Sequence, residues 1–295
     1  MNEFKRFHPL VNFIYFVFAI GFSCFFMHPL CLMISLVCGF VCSAMLKGKK
    51  AVRNNFIYIA LLVFGMAIVN PLFNHDGATI IKYLPDGNPL TLESVIYGVA
   101  AACMIISVIF HFSCYNEVMT SDKFIYLFGK IIPSLSLIFS MTLRFVPKFT
   151  GQMKVVINAQ RCMGRDISKG SLINRIKVCL AVISIMTTWS LENAIETADS
   201  MRARGWGLPK RSAFSIFTLE KRDIKALFVI LILGIYILTG YFCGGMYFRF
   251  FPSIKVSHMS LFEISLYVSY AILFACPIII ELWEVMRWKL LRSKI

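Results

Sequence analysis

Apolar residues along the chain fall into long blocks that are separated by short polar or charged segments. A helix needs about 17–25 predominantly apolar residues to cross the hydrocarbon core of a membrane. Blocks of that length predict spans at Val11–Met27, Pro29–Leu46, Phe56–Phe73, Ser94–Phe112, Ala226–Cys243 and Leu261–Trp283. The short break at His28–Pro29 predicts a tight hairpin between the first two.

The basic residues are distributed unevenly across these predicted spans. With the N-terminus inside, the loop Lys47–Asn55, the insert Ser113–Asp223 and the C-terminal tail all face the cytoplasm. Of the 30 Lys and Arg residues, the external loops then contain only Lys82, Arg249 and Lys255. Because Lys and Arg near spans are retained in the cytoplasm during insertion, this orientation is favoured and its opposite is not.

Two segments of the insert are apolar but do not fit a simple span. Phe124–Leu143 contains Lys130 and Pro133, and its crossing alone would place the basic stretch Arg144–Lys177 outside. We therefore expect a helix that lies along the cytoplasmic leaflet or dips into it. Val178–Trp189 is too short to cross and predicts a buried core helix.

The rest of the insert has helical periodicity. Apolar residues recur on one face of each of two long helices, which indicates that each helix packs on one side. The first stripe is Phe149, Met153, Val156 and Met163, and the second is Leu191, Ala194, Ile195, Ala198 and Met201. The fold class is thus all-α and polytopic, with spans at 1–123, a cytoplasmic or interfacial insert at 124–223, and a C-terminal hairpin with a basic tail at 224–295.

Composition agrees with this assignment. The 295 residues are 58% hydrophobic and 15% charged, whereas soluble domains have about 25% charged residues. The net charge of +15 follows membrane sidedness, which argues against a role in nucleic-acid binding. Most of the ten cysteines lie in apolar runs without metal-binding spacing, and we expect them to be inert. Lys5 and Arg6 precede the first block as in a signal peptide, but a second apolar run follows without a cleavage motif, so we expect a retained span.

The chain lacks the motifs of the common enzyme classes. It has no G-x-x-x-x-G-K-[ST] phosphate loop, no H-E-x-x-H and no G-x-S-x-G. Glu263 and Glu281 lie near span ends, and His111 is expected to be a packed or hydrogen-bonded residue. We therefore expect no catalytic residues, no cofactor and no bound metal. A secondary transporter typically has ion-coordinating groups at mid-membrane, and the sequence does not indicate them.

Both long helices of the insert end in arginine and glycine. The second ends around Met201-Arg-Ala-Arg204-Gly205, where Asp199 can pair with Arg202 and a later Pro209 prevents the helix from resuming. Gly205 or Gly207 can adopt the left-handed conformation that ends a helix, which places Arg204 at the tip. A plain basic helix cap remains the alternative interpretation of this end.

The first helix ends comparably, with Arg161-Cys-Met163-Gly164-Arg165. A matched pair of such ends, about forty residues apart, is stronger evidence of a docking function than either end alone.

At these residues the chain resembles the transmembrane T component of energy-coupling factor (ECF) transporters, the family that includes the cobalt-transporter membrane subunit. The resemblance covers 144–209 best, from Arg144-Phe-Val-Pro147 to the second helix end. In that family an Ala-Arg-Gly motif ends each of two coupling helices, and here the second motif is intact as Ala203-Arg204-Gly205. The first departs, because Met163 stands where the family has arginine. Either Arg161 or Arg165 supplies the charge there, or the contact is apolar.

The resemblance implies an L-shaped subunit in the cell membrane of a prokaryote, with both termini in the cytoplasm. Its implied partners are two ABC-type ATPase subunits, which hydrolyse ATP, and a separate membrane S component that binds a vitamin or a metal ion. An arginine fork at a helix end is suited to bind carboxylates on a partner. A self-contained secondary transporter or channel is the alternative function.

Overall fold

The computed structural model of the chain is built mainly from helices. The structure describes residues 3–83, 88–129, 132–168, 170–206, 208, 217–253, 255–256 and 260–292. After a short 3-10 helix at Glu3–Arg6, the α-helices in these ranges are α1 Pro9–Phe25, α2 Pro29–Lys47, α3 Lys49–Phe73, α4 Leu92–Val118, α5 Ser121–Gly129, α6 Pro133–Cys162, α7 Leu172–Ala203, α8 Lys221–Phe242 and α9 Leu261–Arg292. Short antiparallel hairpins, β1 Ile80–Tyr83 with β2 Pro89–Thr91 and β3 Phe248–Arg249 with β4 Lys255–Val256, lie in two of the connections.

Six helices in the described ranges are long and apolar enough to cross a membrane: α2, α3 from Val52, α4, α7, α8 and α9. Helix α1, which corresponds to the predicted first span, is shorter, with 17 residues. The number of helices long enough to span a membrane therefore equals the six predicted spans. These six helices include α7, which was not predicted as a span, and do not include α1, which was. The expectation for Val178–Trp189 was wrong, because this segment is the middle of the 32-residue α7, and its Leu180 and Ile183 are exposed.

Two His-Pro pairs begin the first two helices in the same way. The Nδ1 atom of His8 accepts a hydrogen bond from the Leu10 amide, and that of His28 accepts one from the Leu30 amide, at 3.3 and 3.2 Å. Proline is favoured at the first helical position because its missing N–H has no helical partner there.

The expected loop at Lys47–Asn55 was wrong, since only Gly48, at φ +73°, separates α2 from α3.

The chain forms two compact units, one of residues 1–124 and 217–295 and the other of residues 125–216. The smaller unit ends before the predicted insert boundary at residue 223, because α8 begins at Lys221 within the larger unit.

Aromatic side chains fill the core of the larger unit, where Phe22 of α1 contacts Tyr270 of α9 and Tyr270 stacks on Phe274 with ring centroids 4.4 Å apart. Between membrane helices such contacts stabilise mainly by van der Waals packing.

A polar cluster is buried among the helices of the larger unit. The Oγ atoms of Ser23 and Ser35 are 2.6 Å apart, Ser35 also bonds Ser107, and its Oγ is 3.4 Å from Nε2 of His111. Gly39 leaves room for the imidazole, because a Cβ there would be 3.3 Å from Nε2. Hydrogen bonds of this kind join membrane helices. The sequence analysis had not anticipated that these hydroxyl and imidazole groups of different helices come together.

The smaller unit contains most of α5 together with α6 and α7. Phe124–Leu143 was expected to be one helix, but α5 ends at Gly129 and α6 begins at Pro133. Proline at this position has no amide hydrogen to continue a preceding helix. Helices α6 and α7 pack through Val156 against Val182 and Met186.

Candidate functional site

Helix α6 ends in a Schellman motif. The Gly164 amide donates to the Arg161 carbonyl and the Arg165 amide to the Gln160 carbonyl, both at 2.9 Å. Gly164 has φ +77°, a conformation that costs a side-chain-bearing residue more than glycine. Met163 is the C-cap residue, and 61% of its surface is exposed. The helix end therefore presents an apolar side chain at its cap and arginines on both sides of it.

Helix α7 ends in the same motif. The Gly205 amide donates to the Arg202 carbonyl at 2.9 Å and the Trp206 amide to the Met201 carbonyl at 3.0 Å. Gly205 has φ +79°, and Arg204 is the exposed C-cap residue. Ala203 is the last residue of the helix. The backbone thus holds Arg204 at the tip, as the residue pattern predicted.

The two motifs can be compared position by position because their hydrogen bonds are the same. Arg161 corresponds to Arg202, and Met163 corresponds to Arg204. The sequence analysis had named Met163 as the substitute for the cap arginine, but it had not paired Arg161 with Arg202. The bonding pattern places an arginine two positions before the cap at each end.

The two helix ends lie at opposite ends of the helix pair. Nζ of Lys148 on α6 donates to Oδ1 of Asn193 on α7 at 2.7 Å, and farther along, Val156 packs on Val182. Higher numbers on α6 thus meet lower numbers on α7, so the helices are antiparallel. Arg144 and Arg204 line one cavity, and the 17 residues from Arg144 to Arg161 span about 26 Å at 1.5 Å per residue. The two tips are therefore separated by roughly that distance.

An open cavity of about 700 Å³ adjoins the end of α7. The walls of this cavity include Arg144 of α6, Glu196 of α7, and Arg204 and Trp206 at the end of α7. The sequence analysis had not placed Arg144 beside Arg204, because their proximity depends on the antiparallel pairing of α6 with α7. Cationic and aromatic side chains at an open site are typical of protein interfaces.

The charges at the α6 end are partly neutralised within the motif. Nε of Arg161 is 3.3 Å from Oδ1 of Asp166, an oxygen that also accepts bonds from the amide and hydroxyl of Ser168 at 3.0 and 2.8 Å. These Ser168 bonds, with the Arg161 charge, lower the pKa of Asp166. Arg165 is exposed, and within the described residues it has no ion pair. The positive charge available to a partner at this end therefore belongs to Arg165.

Two residues of the predicted second helix end are outside the part of the chain that the structure describes. Gly207 and Pro209 lie outside the described residues, so the expectation that Pro209 blocks the helix stays a prediction. Among the described residues, no group of three or more His, Cys, Asp or Glu side chains is placed to hold a metal ion. The site is thus defined by two helix ends and the cavity beside one of them.

Comparisons with known proteins match most of the chain at family level. A family described as "Cobalt transport protein", CbiQ, matches residues 1–216. The chain is 32% identical over 106 residues to the "Energy-coupling factor transporter transmembrane protein EcfT" of Lactobacillus helveticus, which covers 35% of this chain and 38% of that protein. It is 30% identical over 104 residues to the protein of the same name in Streptococcus equi, covering 35% and 39%.

A third relative has a different name. The chain is 26% identical over 207 residues to the "Putative ABC transporter ATP-binding protein BL0043" of Bifidobacterium longum, covering 66% of this chain and 26% of that protein. The chain thus matches about two fifths of the length of its EcfT relatives, and less of the third.

Proposed function

The chain belongs to the cobalt transport protein family, CbiQ, and from that premise we propose that it is the transmembrane coupling subunit, or T component, of an ECF-type importer. In this function α6 and α7 are the coupling helices. Their ends dock on two ABC-type ATPase subunits, and the helices transmit ATP-driven motion to a membrane S component that binds a vitamin or a metal ion. The chain itself has no catalytic role.

The observation that carries this proposal is the pair of matching Schellman motifs at opposite ends of one helix pair. Each motif holds its C-cap side chain, Met163 or Arg204, at an exposed tip. A separation of about 26 Å, from 1.5 Å per residue, suits contacts with two different subunits better than contacts with one small site. The names of the EcfT relatives and of the ATP-binding relative support the same interpretation.

The charges of α7 favour an orientation in which it does not cross the membrane, although its length would allow it. Arg175 and Lys177 lie near its start, and Arg202 and Arg204 lie at its end. A crossing would place one basic end outside, against the positive-inside rule. We therefore propose that both tips face the cytoplasm, where ATPase subunits are accessible.

The exposed apolar face of α7 suits contact with the S component. Leu191 and Ile195 are 62% and 65% exposed, and Ala194 and Ala198 of the same stripe are exposed as well. Small residues let membrane helices approach closely. This face remains accessible on the side of α7 that does not contact α6.

The test is copurification of tagged chain with its ATPase subunits from detergent, with Arg204→Glu as the perturbation. Truncating one partner of a desolvated charge pair costs about 2–5 kcal/mol, so we expect ATPase binding to weaken by about 30-fold or more. Lys154→Glu is the matched control, because Lys154 is an exposed cation in the middle of α6. Equal ATPase recovery with both variants would refute the proposal. Transport of substrate by the purified chain alone in liposomes would favour the secondary-transporter alternative.

A further inference from the structure

The N-terminal segment, Glu3–Phe7, is folded into the larger unit. Its first four residues form the 3-10 helix, and Phe4 and Phe7 are buried. The Phe4 ring packs edge-on against the rings of Tyr15 and Phe16 in α1, with centroids 5.4 and 6.3 Å apart. Terminal residues are poorly ordered unless they are tied down, and these aromatic contacts tie the segment to α1.

The N-terminal segment is bonded to the chain close to the point where it first leaves the larger unit, after residue 124. Nζ of Lys123 donates to the carbonyl of Lys5, and Lys123 is buried. With its amide in the better-bonded orientation, Asn12 of α1 donates to the Phe4 carbonyl at 3.2 Å and accepts from Nζ of Lys123 at 2.9 Å. The start of α5, which leads toward α6, is therefore held by the N-terminal segment and α1.

The same segment contacts the chain shortly after it returns to the larger unit, at residue 217. The guanidinium of Arg222, in the first turn of α8, lies 4.5 Å from the centre of the Phe7 ring, and its Nη1 is 4.0 Å from Oε2 of Glu3. The other oxygen of Glu3 accepts a bond from Nη1 of Arg6 at 2.8 Å. The Glu3 amide donates to Oε2 of Glu281 in α9 at 2.9 Å. The first turn of α8 is thus held against a segment that is itself bonded to α9.

We propose that the N-terminal segment is a positioning element for the coupling helices, because it holds both of the connections that lead to them. Motion is transmitted through packed and hydrogen-bonded elements that keep their geometry. Without this segment, part of the motion of α6 and α7 would be absorbed by local opening at the starts of α5 and α8. The role in coupling rests on the proposed function, whereas the holding of the two connections does not.

The first test is amide hydrogen exchange of the detergent-purified chain, with Phe4→Ala to detach the segment from α1. Exchange should become about tenfold faster or more at the starts of α5 and α8, since a hydrogen bond to a charged group contributes about that factor to a local opening equilibrium. Phe250→Ala is the matched control, because Phe250 is a buried phenylalanine in the loop between β3 and β4. It should leave both starts unchanged. Equal acceleration in the two variants, or in all helices alike, would overturn the proposal.

A milder variant, Glu3→Gln, tests the two connections separately if Phe4→Ala does not fold. Arg222 keeps two further carboxylates, on Glu220 and Asp223, whose oxygens are 4.0 and 3.9 Å from its nitrogens. The pair with Glu3 is also half exposed on the arginine side. We therefore expect exchange to become only about two- to fivefold faster at the start of α8, with a smaller change at the start of α5. Unchanged exchange at the start of α8 would count against the contact with Glu3 as a holding contact and would overturn the proposal.

The second test is the amount of substrate transported per ATP hydrolysed by the complete transporter. Phe4→Ala should keep ATPase copurification and lower this ratio, whereas Phe250→Ala should keep both. A ratio equal to that of the wild type would overturn the role in coupling. If Arg204→Glu shows the proposed function to be wrong, the exchange measurement still decides whether the N-terminal segment holds the two connections.

Discussion

Lys123 is a buried cation whose environment makes a quantitative prediction. Only 6% of the residue is exposed, and Nζ donates to the carbonyl of Lys5. With its amide in the better-bonded orientation, Asn12 also accepts from Nζ, at 2.9 Å. Burial, with a smaller effect of the Lys5 charge, lowers the pKa of Lys123 from 10.5 to about 8. The Lys5 charge is itself paired with Glu117.

The sign of the effect on stability follows from proton binding. Below pH 8 the Lys123 ammonium is charged in both states, and its burial disfavours the folded state. Between pH 8 and 10.5 the unfolded state binds more protons, so the free energy of unfolding rises with pH. The pKa difference corresponds to about 3 kcal/mol over that range, at about 1.4 kcal/mol per unit.

Lys123→Met should remove this dependence. The assay is the thermal unfolding midpoint in detergent from pH 7 to 10, compared between wild type and variant. We expect the wild type to gain several degrees relative to Lys123→Met as pH rises from 8 to 10. Lys154→Met, at an exposed lysine, should follow the wild type. Parallel curves for wild type and Lys123→Met would refute the reasoning.

Three further predictions concern packing and docking. Gly98→Leu should lower the unfolding midpoint by several degrees, because even a Cβ at Gly98 would be 2.6 Å from the Met66 carbonyl oxygen; an unchanged midpoint in a thermal melt would contradict this close approach. Met163→Arg should keep or strengthen ATPase copurification, and a severe loss would instead indicate an apolar contact at the cap. Leu191→Ser/Ile195→Ser should weaken copurification with the S component but leave ATPase recovery unchanged, and recovery of the S component at wild-type level would argue against the proposed face.

Most membrane helices could be predicted because one local property, an apolar run of sufficient length, defines them. Helix α7 was missed as a single long helix because Arg175 and Lys177 interrupt the apolar window near its start. Helix continuity depends on backbone hydrogen bonding, which charged residues do not prevent. The apolar window therefore predicted only the middle of α7.

The buried polar cluster could not be predicted, for a different reason. Ser23, Ser35 and Ser107 lie on three different helices, and Ser107 is far from the other two in sequence. A lone serine in an apolar run is common and gives no signal by itself. Their proximity, and that of His111, follows only from the packing of α1, α2 and α4, which periodicity does not determine.

The helix ends were predictable because their signals are local, but their placement relative to each other was not. Arginine followed by glycine predicts a capped end, and both Gly164 and Gly205 adopt positive φ as that pattern requires. That the two ends lie at opposite ends of one antiparallel helix pair, in contrast, depends on contacts such as that of Lys148 with Asn193. Contacts between residues so far apart along the chain leave no periodic signal in the sequence.

On the proposed function, the shared backbone of the two ends constrains the chemistry of their partners. Because Met163 and Arg204 occupy the same cap position, a partner carboxylate placed to bind Arg204 would meet a methionine in the corresponding place at the other tip. A desolvated carboxylate without a partner costs about 1–3 kcal/mol or more, so the surface that faces Met163 must either be apolar or receive its cation from elsewhere. Arg161 is held by Asp166, which leaves Arg165, one position beyond Gly164, as the cation able to bind such a carboxylate.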